Sequence, residues 1–136
     1  ERILDRFPGV LVVAVYPVPD PRTGDQVMAS IQLEPGAHFD PAAFGEFCRA
    51  QPDMGTKWAP HFVRVLDAMP VTATRKISKP SLRRESWTEP GEVYLRGRVD
   101  TGGADRSDDV YRPLTDTDRA ALLAEYERHG RSPQGV

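Results

Sequence analysis

Val10-Leu11-Val12-Val13-Ala14-Val15-Tyr16-Pro17-Val18 is followed without a break by Pro19-Asp20-Pro21-Arg22-Thr23-Gly24-Asp25 and by Gln26-Val27-Met28-Ala29-Ser30-Ile31-Gln32-Leu33-Glu34. The first run is apolar and rich in β-branched residues, which predicts a strand buried on both faces. The second has the proline, aspartate and glycine chemistry of a hairpin loop. In the third, Val27, Ala29, Ile31 and Leu33 face one way and Met28, Ser30 and Gln32 the other. That alternation predicts a half-buried strand, antiparallel to the first.

Before the hairpin, Glu1 to Phe7 reads as helix from its first residue, with Ile3, Leu4 and Phe7 on one face and Pro8-Gly9 ending it. No methionine and no capping residue precede it, so the chain is expected to be part of a longer protein. After the hairpin, Pro35-Gly36 turns the chain and Asp40-Pro41 offers an N-cap with proline behind it. Ala43, Phe44, Phe47 and Cys48 recur at helical spacing, so a helix is expected over 41–51, closed by Pro52. A loop from Gln51 to Trp58 then leads through Pro60 to an apolar segment, Phe62 to Leu66, the expected third strand.

That strand delivers the chain to Met69-Pro70-Val71-Thr72-Ala73-Thr74-Arg75-Lys76-Ile77-Ser78-Lys79. The chain has three lysines against fifteen arginines, and two of the three lie here. Thr72 and Thr74 favour extended backbone, which would project Thr72, Thr74 and Lys76 from one face. Two hydroxyls and an ammonium side by side suit a phosphate or carboxylate. Charge alone points instead to a solvated face. Pro80 suits the first turn of a helix running to about Trp87, docked by Leu82 and Trp87 and carrying Arg83 and Arg84. Beyond it, Glu92 to Leu95 could form a short strand, and the aspartate-rich, glycine-bearing segment at about 100–109 reads as a mobile loop. Thr115 with Asp118 forms a capping-box pattern ahead of a terminal helix at about 115–129, with Leu122, Leu123 and Tyr126 on its apolar face.

A net charge of −2 gives no bulk attraction to nucleic acid. The single cysteine, Cys48, allows no internal disulfide and sits on an apolar helix face, as a buried thiol would. No apolar run approaches the roughly 18 residues of a membrane-spanning helix. Val10 to Val15 is too short and wrongly flanked for a signal peptide, so a reducing cytoplasm fits best. His38, His61 and His129 lie far apart and lack zinc-ligand spacing with Cys48, so no metal site is expected. No Gly-Lys-Ser/Thr phosphate loop, Gly-x-Ser-x-Gly or dinucleotide fingerprint occurs.

The pattern Pro-x-Thr-x-Thr-x-Lys-x-x-Lys-x-x-Leu, from Pro70 to Leu82, resembles the C-terminal lysine motif of the adenylate-forming enzymes, in particular the acyl-CoA synthetases. The usual glycine before the lysine is here Arg75. With Leu82, Glu85, Trp87 and the Val-Tyr…Tyr-x-Pro-Leu-Thr layout of the tail, this form is closest to the very-long-chain and fatty-acid-transport-protein branch. Phe7-Pro8-Gly9-Val10, Val18-Pro19-Asp20 and Gly24-Asp25 match the same family's earlier hairpin, with Pro17 replacing a usual glycine.

The resemblance implies that residues 1–87 are the mobile, lysine-bearing small domain of a fatty-acid–CoA ligase, and 88–136 a family-specific extension. Such enzymes activate a long or very long chain fatty acid with ATP to an acyl-adenylate, then transfer the acyl group to CoA. Lys76 is the implied catalytic residue; Thr72 and Thr74 are implied nucleotide contacts, and Lys79, Arg83 and Arg84 CoA or domain-interface contacts. ATP, its Mg2+ and the fatty acid would be held by an N-terminal adenylation domain, so this stretch alone is expected to bind no cofactor and to be inactive. Peripheral association of the whole enzyme with the inner face of the membrane stays open. So do a freestanding non-catalytic module that uses the basic segment to hold an acidic partner, and a domain of another adenylate-forming ligase. The expected fold is α+β: a small three-stranded, mainly antiparallel sheet with flanking helices, plus an extension ending in a helix.

Overall fold

The hairpin stands at one edge of a five-stranded sheet. The computed structural model describes residues 3–51, 59–89, 91–97 and 110–134. Strands β1 (Val10–Pro19), β2 (Asp25–Leu33), β3 (Phe62–Leu66), β4 (Glu92–Arg96) and β5 (Tyr111–Pro113) lie side by side in sequence order. Only the β2–β3 pair is parallel, Met28 opposite Phe62 and Gln32 opposite Leu66. Helix α1 (Pro41–Ala50) lies in the crossover that a parallel pair requires. Helices α2 (Lys79–Glu85) and α3 (Asp116–Arg128) follow β3 and β5. The α+β class and the mainly antiparallel pairing are as expected, but the described residues form five strands, not three. The extension adds β4 and β5 to the same sheet.

Burial follows strand parity. Ala14, Tyr16, Met28 and Phe62 share one face with Val93 and Leu95, beneath Leu82, Trp87, Leu122 and Tyr126. Val13, Ala29, Ile31 and Val63 share the other, beneath Leu4, Phe7, Phe44 and Cys48. Both faces of β2 are therefore covered, and Met28, Ala29, Ser30 and Ile31 are fully buried. The half-buried reading of β2 is corrected. Alternation of size and polarity marked two faces, but helices cover both. The first helix is also shorter than expected, a single 3-10 turn at Leu4–Arg6, although it does bury Leu4.

Pro17 fits because β1 lies at the edge. Val27, its partner across the pair, accepts from the His61 N–H at 2.8 Å, so the backbone groups of Val27 face β3. Pro17 thus sits in a pair without β1–β2 hydrogen bonds, and its ring nitrogen faces the open side. Pro19, two residues on, does the same. The loop over 52–58, Lys57 and Trp58 within it, and the acidic stretch at 100–109 lie outside the described residues.

Candidate functional site

Between β3 and α2 the basic stretch forms a finger. Its base is fixed in the core: Met69 is buried and its N–H donates to the Gln32 side chain at 3.0 Å, while Leu82 is fully buried one turn into α2. The two legs close through a bridge between Val71 and Ile77 and a Ser78 N–H to Pro70 carbonyl bond of 2.9 Å. Residues 71–76 are exposed. The segment is thus bent into a hairpin rather than extended along its length.

The tip has a definite geometry. The Arg75 N–H donates to the Thr72 carbonyl at 2.9 Å, and the Thr72 N–H donates to the Lys76 carbonyl at 2.7 Å. Arg75, the third residue of the three-residue loop, is left-handed at φ 62°. A turn followed by one left-handed residue is a standard three-residue hairpin loop, and that residue is normally glycine. The place of Arg75 is where the resembled motif carries glycine, and the reason is this backbone angle. The Thr72 and Thr74 hydroxyls lie 3.1 Å apart, and Thr72 Oγ1 also accepts from the Lys76 N–H at 3.3 Å. The two threonines therefore come together with Lys76, held by the turn instead of by strand alternation.

Lys79, Arg83 and Arg84 ride on α2. Ser78 caps this helix, its hydroxyl accepting from the Ser81 N–H, a cap the threonine-rich run before it obscured. Lys79 and Arg83 are four residues apart and share a helix face. Arg84 donates to Ser81 Oγ at 3.2 Å, and Arg83 Nε is buried without a hydrogen-bond partner among the described residues.

Beneath α2 lies a polar group that sequence reasoning did not identify. Arg64 is 6% exposed on β3 and pairs with Glu85 on α2 at 3.4 Å. Ser30, its neighbour across β2, shares a 2.6 Å hydrogen bond with Tyr16. Burial pushes the Tyr16 hydroxyl up to about 12, against the opposing pull of Ser30 and Arg64, so it stays protonated. Its signal was present: Arg64 alternates with Val63 and Val65 on the face of Phe62, an odd place for an arginine without a partner. Among the described residues no three His, Cys, Asp or Glu side chains gather closely enough to hold a metal ion.

The sequence matches the family of the AMP-binding enzyme C-terminal domain over residues 1–76. It is 41% identical over 131 residues to the steroid-22-oyl-CoA synthetase of Rhodococcus jostii RHA1, covering 96% of this chain and 22% of that protein. With the medium/long-chain-fatty-acid–CoA ligase FadD17 of Mycobacterium tuberculosis it shares 51% identity over 85 residues, 62% of this chain and 17% of that protein. The solved structure of apo MatB from Rhodopseudomonas palustris matches with a TM-score of 0.56 at 30% identity, covering 61% of this chain and 16% of that one. The chain therefore spans about a fifth of the length of these curated relatives.

Proposed function

The chain belongs to the AMP-binding enzyme C-terminal domain family, and from that premise we propose that it is the lysine-bearing domain of an ATP-dependent acyl-CoA ligase. Its partner is a larger adenylation domain that holds ATP with its Mg2+ and a fatty acid, and the setting is the cytoplasm. The observation that carries the reading is the presentation of Lys76. It stands on an exposed finger whose two legs are anchored in the core and whose tip is fixed by hydrogen bonds on either side of that residue.

In the first half-reaction a carboxylate oxygen attacks the α-phosphorus of ATP, the bond to the β-phosphate oxygen breaks, and pyrophosphate leaves. Two anions meet, and charge builds on the oxygens around the α-phosphorus. A compact ammonium can sit between them as a point charge, which the planar guanidinium of a neighbouring arginine cannot reproduce. In a closed, water-poor site such a contact contributes several kcal/mol to the transition state. In the second half-reaction the CoA thiol attacks the acyl carbonyl and AMP leaves, with no new charge at the phosphorus for Lys76 to meet. A lysine on a separate small domain can be withdrawn before CoA arrives. Lys79, Arg83 and Arg84, on the adjoining helix, are assigned to CoA phosphates or to the domain interface.

Two assays on the full-length enzyme test this. Lys76→Ala should slow adenylate formation on the order of a hundredfold or more and spare thioester formation from a supplied acyl-adenylate. Lys79→Ala should cost far less, and Lys76→Arg should not restore the rate. Equal slowing of both halves by Lys76→Ala, or greater damage from Lys79→Ala, would refute the assignment.

A second reading concerns the acid alone. The match to the steroid-22-oyl-CoA synthetase runs through the extension, whereas the match to FadD17 covers 85 residues. This makes a steroid carboxylic acid a second candidate beside a straight-chain one. Adenylation rates of the full-length enzyme with each acid separate the two.

A further inference from the structure

We propose that Thr72 is a positioning residue for Lys76, its hydroxyl holding the lysine's backbone in the one orientation that sends the ammonium outward along the finger. The proposal rests on the reading of Lys76 as the adenylation lysine.

Thr72 touches Lys76 on both sides. Its N–H donates to the Lys76 carbonyl at 2.7 Å, and its Oγ1 accepts from the Lys76 N–H at 3.3 Å. The first contact is backbone and would survive any side-chain change. The second depends on a hydroxyl at this position. With both in place the Lys76 peptide groups cannot rotate freely, so the direction of its Cα–Cβ bond is fixed before any substrate arrives.

The need for a second tie comes from Arg75. At φ 62° it occupies a conformation that clashes with its own Cβ and that glycine would adopt at no such cost. A turn carrying that penalty tends to relax, and relaxation at Arg75 swings Lys76, the next residue. The Thr72 hydroxyl opposes this directly. Thr74 Oγ1, 3.1 Å from Thr72 Oγ1, orients that hydroxyl in turn. The cluster lies on the exposed part of the finger, where hydrogen bonds contribute little to global stability. Its effect is therefore local.

The test uses the full-length enzyme with Thr72→Val, which keeps the shape and loses the hydroxyl, and Thr72→Ser, which keeps the hydroxyl. Thr72→Val should lower kcat for adenylate formation about tenfold or more, since small misplacements of a catalytic group are costly. KM for ATP and thioester formation from supplied acyl-adenylate should hold, and Thr72→Ser should restore most of the rate. Amide exchange at Lys76, followed by mass spectrometry, should quicken in Thr72→Val and not in Thr72→Ser. A rise in KM for ATP at unchanged kcat would make Thr72 a nucleotide contact and overturn the proposal. So would a wild-type rate and exchange in Thr72→Val, or its failure to fold, which would make the hydroxyl a stability element. Lys76→Ala run in parallel keeps the two ideas apart. If it adenylates normally, the reading of Lys76 fails. If it is crippled while Thr72→Val is not, only the positioning role fails.

Discussion

Among the described residues two side chains sit on backbone that suits glycine, and periodicity made neither legible. Arg75 at φ 62° lies in the finger, and Ser86, at φ 51° and ψ −144°, ends α2. Periodicity reports which way side chains face and is silent on the sign of φ. Only the glycine expected in the resembled motif marked Arg75, and nothing marked Ser86. Ser86 is also fully buried, and its hydroxyl has no hydrogen-bond partner among the described residues. Both strain and an unmade hydrogen bond argue for replacement. Ser86→Gly should relieve them, offset by glycine's greater entropy loss, for a net gain of about 1–2 kcal/mol. A denaturant midpoint at or below that of the wild type would contradict this account. Arg64 teaches a related lesson. Its residue type stood out within an apolar strand, but its partner Glu85 lies on another element, which no local pattern could supply.

Among the elements, those with local signals were read correctly, β3 and β4 included, whereas β5 and the path of the finger depend on partners elsewhere. The hairpin, α1 with its Asp40 cap, and α3 with its capping box all announce themselves within a few residues. Strand β5 is three residues long and exists because β4 pairs with it and Tyr111 donates to the Pro60 carbonyl. Threonine's preference for strands would place Thr72, Thr74 and Lys76 on one face only of an extended segment, whereas hydrogen bonds between the legs decide the finger's path. At the start of α3, Asp118 does more than its cap position foretold. Arg112 on β5 grips its carboxylate with contacts of 2.8 and 3.4 Å. Burial would raise the Asp118 pKa, but the Arg112 and Thr115 hydrogen bonds outweigh it and hold the carboxyl below the usual aspartate range. A depressed folded value means a stabilisation that is complete above the ordinary aspartate pKa and lost as pH falls through the folded one. Asp118→Asn should lower stability at pH 7 by about 1 kcal/mol. Its stability should then fall less steeply than the wild type's as pH drops below the ordinary aspartate value. Parallel acid profiles for the two proteins would refute the coupling.

At the scale of the whole molecule, the extension completes a core that begins in the first strand. Trp87 is 1% exposed because Phe62 stacks on it at 5.8 Å and Tyr126 of α3 lies 6.0 Å away. Arg119 of the same helix donates to the Trp87 carbonyl at 2.6 Å, and the Tyr126 hydroxyl donates to the Pro19 carbonyl. The two-sided sheet was legible in outline from its strands, but not that the last helix covers the first hairpin. That is a contact between sequence-distant residues, and composition carries no record of it. Ending the chain at Thr115 should uncover Trp87 and Met28 and cost several kcal/mol, because burying a large side chain contributes about 1.5–3 kcal/mol. Thermal unfolding should shift down by ten degrees or more, on the order expected for a domain of this size. An unchanged midpoint would show that α3 is dispensable to the core. The Tyr126–Pro19 contact spans 107 positions, and it has a meaning in time as well as in energy. At a synthesis rate of about 5–20 residues per second, the hairpin leaves the ribosome roughly 5–20 s before the residue that shuts its inner face. Until then the face bearing Tyr16, Val18 and Met28 lacks its last cover, a window in which a chaperone's grip or a neighbouring chain could meet it first.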